Sequence, residues 1–123
     1  MKSILVVDDE KNIRTIVRAI LENEGYTVLE ASDGNEAIRQ FGEHSPDLVV
    51  TDLLMPEKDG IETLFELKQI NGNAKVIALS GGGRICSENY LNYARKLGAT
   101  ATLEKPFTSE ELLAVVHQAM AIA

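Results

Sequence analysis

Five short apolar runs recur along the chain, each followed by a stretch with helical spacing. They are residues 4–7, 27–31, 48–51, 75–79 and 100–103. The first, third and fourth are almost continuously apolar, as a strand covered on both faces must be. Between them, Ile13, Ile16, Val17, Ile20 and Leu21 fall on one helical stripe, and Gly25 stops it. Ala37, Ile38 and Phe41 mark a second helix, with Asp33 and Glu36 at capping-box spacing. Asp59 and Glu62 repeat that spacing before Ile61, Leu64, Phe65 and Leu67. Tyr90, Leu91, Ala94 and Leu97 predict a fourth helix ending at Gly98. Thr108-Ser109-Glu110-Glu111 opens a fifth, carrying Leu112, Leu113, Val115, Val116 and Ala119.

A β-α unit repeated five times has few solutions. Right-handed crossovers give a parallel five-stranded sheet with helices on both faces, a doubly wound α/β fold. The connections are short, so residues 1–123 are expected to form one domain. A chain of 123 residues can bury a core without disulfides or structural metals. Nothing after the fifth helix is expected to act as an output domain. Ser80-Gly81-Gly82-Gly83-Arg84 predicts a mobile loop, because three glycines in a row weaken any helix or strand interior.

Charge and composition narrow the function. The net charge of −7 disfavours a nucleic-acid surface and an anionic membrane, and favours a soluble monomer. The one cysteine, Cys86, permits no intrachain disulfide, which suits a cytoplasmic setting. No secretory leader is expected, and no apolar run approaches about 18 residues.

The polar residues at the strand ends carry the chemistry. In a parallel sheet Asp8 and Asp9, Asp52, Ser80 and Lys105 would gather along one edge, where open α/β sheets bind ligands. Two carboxylates 4 Å apart repel by about 1 kcal/mol in water, and by about 4 at an effective dielectric of 20. A divalent cation would relieve that repulsion. Hard oxygen donors favour Mg²⁺, or Mn²⁺ in its place, which leaves room for phosphate oxygens. Lys105 supplies a cation, Ser80 a hydroxyl, and a carboxylate can itself be the nucleophile that forms an aspartyl phosphate.

The pattern Asp8-Asp9, Asp52-Leu53-Leu54-Met55-Pro56 with Asp59-Gly60, Ser80-Gly81 and Lys105-Pro106-Phe107 resembles the CheY-like receiver domain of two-component response regulators. The match spans essentially the whole chain. It implies the flavodoxin-like strand order 2-1-3-4-5. It also implies Asp52 as phosphoacceptor, with Asp9, Asp52 and the backbone carbonyl of Leu54 as direct Mg²⁺ ligands. Asp8 would act through a water, Ser80 and Lys105 would hold phosphate oxygens, and Lys105-Pro106 would be cis. The implied partners are a sensor histidine kinase or histidine phosphotransfer protein, and a downstream effector or covalently linked output domain. The implied role is a signalling phosphoacceptor, not an enzyme acting on other substrates. One position departs from the pattern. Receivers usually carry an aromatic residue three places before the lysine, and here it is Thr102, so the aromatic half of the family's switch is missing.

Simpler readings account for less. A helix cap would explain Asp8 or Asp9, but not Asp52 at another strand end. The Gly81–Gly83 run is no P-loop, since no Lys-Ser/Thr follows. Cys86 reads as a small inert residue, and His44 and His117 as solvated, with no charged partner suggested near His117. Tyr90 and Tyr93 suit core packing or a partner equally. A small-molecule phosphatase would need a second, separated acid and a cap. A flavodoxin-like electron carrier would need a hydroxyl-rich phosphate loop where Asp8-Asp9-Glu10 stands.

Overall fold

The computed structural model describes residues 2–53, 60–81, 92 and 94–121. Five parallel strands form one sheet: β1 (Ser3–Val7), β2 (Thr27–Ala31), β3 (Leu48–Asp52), β4 (Val76–Gly81) and β5 (Ala101–Lys105). Their order is β2-β1-β3-β4-β5, as the resemblance implies. Helices α1 (Lys11–Asn23), α2 (Gly34–His44), α3 (Gly60–Ile70) and α4 (Ser109–Ala121) alternate with them. Residues 92 and 94–96 are helical as well, within the stretch predicted as a helix before Gly98.

Alternation along each strand divides the core into two layers. Leu5, Val7, Val49, Val76 and Ala78 pack with Phe41, Leu64, Leu67 and Ala94 on one face. Ile4, Val6, Val28, Val50, Ile77 and Leu79 pack with Val17, Leu21, Leu112 and Val116 on the other. Thus α1 and α4 cover one face, and α2 and α3 the opposite one. Every residue of β3 is buried, which is why its sequence shows no polar alternation.

Local signals set the helix ends. The Asp33 side chain accepts from the Glu36 N–H at 2.8 Å, while Glu36 accepts from the Ser32 N–H at 3.2 Å. At α4 the capping box is complete: Glu111 N–H donates to Thr108 Oγ1 at 3.0 Å, and Thr108 N–H to Glu111 Oε1 at 2.8 Å. Gly25 ends α1 with φ of 98°, in the left-handed region that glycine enters without penalty. The α1 N-cap is Glu10, and its side chain makes no capping bond. Asp59, predicted to cap α3, lies outside the described residues.

Three strands run further at their carboxyl ends than their apolar stretches predict: β3 by one residue, to Asp52, and β4 and β5 by two. Ser80 and Gly81 continue β4, opposite Glu104 and Lys105 of β5. The loop expected from Ser80 therefore does not begin there; residues 82–84 lie outside the described residues. Backbone pairing persists past the last apolar side chain because the ladder satisfies main-chain groups whatever the side chains are.

The layered core gives a measurable contrast. Leu5, fully buried on β1, should cost about 2–5 kcal/mol on replacement by alanine. Ile16→Ala, at an exposed position, should stay within about 0.5 kcal/mol of the parent. Urea unfolding of the two variants reads the difference, and equal losses would contradict the layering.

Candidate functional site

The strand registers decide which polar residues meet. Val7 lies opposite Thr51, so the residues that follow them, Asp8 and Asp52, lie side by side at the carboxyl edge. Across β3 and β4, Asp52 pairs with Leu79, one residue before Ser80. From the far strand, Lys105 reaches back over this edge. Its Nζ donates to Asp8 Oδ2 at 2.9 Å and lies 3.5 Å from Asp52 Oδ2. Three predicted residues are thus in direct contact, and Ser80, 2% exposed, is buried beside them.

Asp8 is wholly buried and Asp52 is 6% exposed. Burying carboxylates is costly unless charge and hydrogen bonds compensate. Asp8 has both: Oδ2 takes the Lys105 ammonium, and Oδ1 accepts the Glu10 N–H at 2.9 Å. Burial alone would lower the Lys105 pKa. The hydrogen bond to Asp8 and the nearby Asp52 charge outweigh it, and hold the ammonium above its ordinary range.

Asp9 is exposed, as is Glu10. Asp8, Asp9 and Glu10 each bring one carboxylate oxygen within 4.8 Å of the others. These hard oxygen donors suit Mg²⁺ chemically. Glu10 has no metal-binding role in the sequence motif, although its place in an unbroken acidic run is a visible signal. Leu54, expected to offer its carbonyl, lies outside the described residues.

The backbone of Asp8 is held from both sides. Its N–H donates to the Ala31 carbonyl of β2 at 3.2 Å, and its own carbonyl accepts from Arg14 Nη1 of α1 at 2.7 Å. Arg14 Nε also donates to Glu30 Oε1 at 3.0 Å, and Arg18 Nη1 to Glu30 Oε2 at 2.8 Å. The Arg18 bond chiefly, with help from Arg14 and against partial burial, holds the Glu30 carboxyl below its ordinary pKa. None of these three was singled out from sequence. The signal was a charged residue inside the β2 run, and two arginines four apart on the helix before it.

At the position where an aromatic was expected, the Thr102 hydroxyl accepts from Arg95 Nη2 at 2.7 Å. Arg95 Nη1 also donates to Asn92 Oδ1 at 2.8 Å. The Lys105-Pro106 peptide is cis. His117 is not without a charged neighbour, contrary to the sequence reading: its Nε2 lies 3.0 Å from Glu24 Oε2, which the end of α1 brings against α4. His44 lies 3.8 Å from Glu43 on the surface. Cys86, Tyr90 and Tyr93 lie outside the described residues. No described helix is long and apolar enough to cross a membrane.

A parallel α/β sheet with a buried lysine-bridged carboxylate pair at its carboxyl edge defines a narrow class. Residues 4–117 match the family model described as the response regulator receiver domain, and the chain belongs to that family. It is 37% identical over 118 residues to the chemotaxis protein CheY of Bacillus subtilis, covering 95% of this chain and 96% of that one. It is 40% identical over 117 residues to the transcriptional regulatory protein CpxR of Klebsiella pneumoniae, covering 95% of this chain but 48% of that one. A receiver domain structure from Clostridium thermocellum superposes with a TM-score of 0.89 at 38% identity, covering 98% of this chain and 94% of that one. The protein is accordingly a two-component response regulator receiver.

The lysine bridge has a pH signature. Because the Lys105 pKa is raised on folding, its stabilising effect is complete below the ordinary value of 10.5. It disappears as pH rises through the higher folded value. The stability gap between the parent and Lys105→Met, read by urea unfolding, should be constant near neutral pH and narrow above 10.5. A gap that ignores pH would contradict the bridge.

Proposed function

We propose that Asp52 accepts a phosphoryl group from a histidine kinase or histidine phosphotransfer protein, and that residues 1–123 act as one receiver domain. The observation that carries this reading is Lys105 bridging Asp8 and Asp52, at 2.9 and 3.5 Å. A carboxylate oxygen of Asp52 attacks phosphorus and forms an O–P bond. The bond between phosphorus and the donor breaks, and the leaving group departs with the electron pair and takes up a proton.

The charge gained on Asp52 changes what Lys105 faces. Its ammonium can pass from carboxylate to phosphoryl oxygen without leaving the pocket, while the Ser80 hydroxyl donates from the end of β4. Positioned donors of this kind act where charge develops in transfer. Asp9 and Asp52, with the Leu54 carbonyl, are the residues that would hold Mg²⁺ directly. Asp8 would act through water, which suits a carboxylate whose two oxygens are already engaged. Bound there, Mg²⁺ would offset negative charge on the phosphoryl oxygens.

The domain itself is a switch: it promotes only its own phosphorylation and dephosphorylation. Its output is a downstream effector or a covalently linked domain, as the half-length match to CpxR illustrates. Acidity argues against nucleic-acid contact by this domain itself. A cytoplasmic monomer in the unphosphorylated state fits the acidic composition and the lone cysteine.

Incubation with acetyl phosphate and Mg²⁺, followed by intact mass measurement, tests the assignment. The parent should gain one phosphoryl group, chelation by EDTA should prevent it, and Asp52→Asn should gain none. Ser80→Ala and Lys105→Ala should label more slowly. Undiminished labelling of Asp52→Asn would place the acceptor elsewhere.

A further inference from the structure

We propose that Arg14, anchored by Glu30, is the positioning residue that aims Asp9 into the acidic site. Asp8 and Asp9 share one peptide plane, formed by the Asp8 carbonyl and the Asp9 N–H. Fixing that carbonyl fixes the plane, and with it the Asp9 N and Cα. The Glu10 N–H, donating to Asp8 Oδ1 at 2.9 Å, restrains the next plane. The two planes together set the direction in which the Asp9 side chain leaves the backbone. Arg14 Nη1 holds the carbonyl at 2.7 Å. The preceding peptide is fixed by the Asp8 N–H donating to Ala31 at 3.2 Å.

Arg14 is itself tied down. Its Nε donates to Glu30, the residue directly before Ala31. Glu30 is gripped on its other oxygen by Arg18, and its carbonyl accepts from Gln40 Nε2 at 2.8 Å. The contacts close a ring from Asp8 through β2 and α1 back to Asp8. Asp8 meanwhile has both carboxylate oxygens occupied inside the protein. Of the pair, Asp9 is the side chain presented to solvent, and the ring, with the Glu10 N–H bond to Asp8, holds the backbone from which it leaves.

A planar guanidinium is suited to this task because it donates in two fixed directions at once, whereas an ammonium is a single point charge. Orienting groups behind metal ligands typically change affinity by about 10–100-fold when removed. Ordinary exposed ion pairs, such as Arg39 with Glu43, have no such lever on the site.

The inference rests on the Mg²⁺ reading above, and calorimetric titration with MgCl₂ separates the two. Arg14→Ala should bind Mg²⁺ about tenfold more weakly than the parent, with a shifted Asp9 amide resonance. Arg14→Lys should not restore the affinity, and Arg39→Ala should match the parent. Should Arg14→Ala fail to fold, Glu30→Gln, which keeps a neutral acceptor for Arg14, should weaken binding to a lesser degree. Parent-like affinity in whichever folded variant is measured, Arg14→Ala or Glu30→Gln, overturns the positioning role while leaving the metal reading intact. A parent that takes up no Mg²⁺ overturns both.

Discussion

The contact between Lys105 and Asp8 is the interaction on which the carboxyl edge of the sheet depends. Asp8 has no access to water, and Asp52 has little. Two neighbouring carboxylates in that setting repel each other more strongly than they would in solution. The ammonium lies between them at 2.9 and 3.5 Å, and the Glu10 N–H meets the remaining Asp8 oxygen. Removing the cation would leave two buried acids facing each other. The site therefore carries a tension that is balanced at rest, and that phosphorylation or a metal ion would rebalance.

The sheet supplies the geometry for that balance. β1 and β3 are neighbours, so Asp8 and Asp52 meet by register alone. β4 and β5 bring Ser80 and Lys105 from the other side, and their ladder extends to the residues that matter, Ser80 opposite Glu104 and Gly81 opposite Lys105. Ser80 and Lys105 thus stand on paired backbone. Groups held on regular elements keep their positions better than groups carried on loops.

Much of this was legible in the sequence. Continuous apolar runs marked the buried strands, and the polar residues following them marked one edge, because parallel strands must end together. The cap at Thr108 was equally readable, since its partner Glu111 is local. The strand ends were read short because apolarity stops at Leu79 and Leu103 while backbone pairing does not. Arg14 and Glu30 escaped notice for a different reason. Their pairing depends on how α1 is rotated against β2, which no local pattern states. The same is true of His117 with Glu24 and of Thr102 with Arg95, where residues from separate elements meet. The aromatic residue usual in the family three places before Lys105 is replaced by the Thr102 hydroxyl, which Arg95 engages, so the absence of the ring leaves a polar contact in its place.

The bridge from Asp8 to Lys105 joins residues 97 positions apart. Asp8 directly follows the first strand of this sheet, and Lys105 ends the last one. Until β5 is synthesised and docked, the acidic pair has no counter-charge from this lysine, and the β4 edge has no partner beyond it. A nascent or truncated chain lacking β5 therefore cannot assemble the site, however well the earlier strands have formed. Closure of the bridge is tied to completion of the sheet.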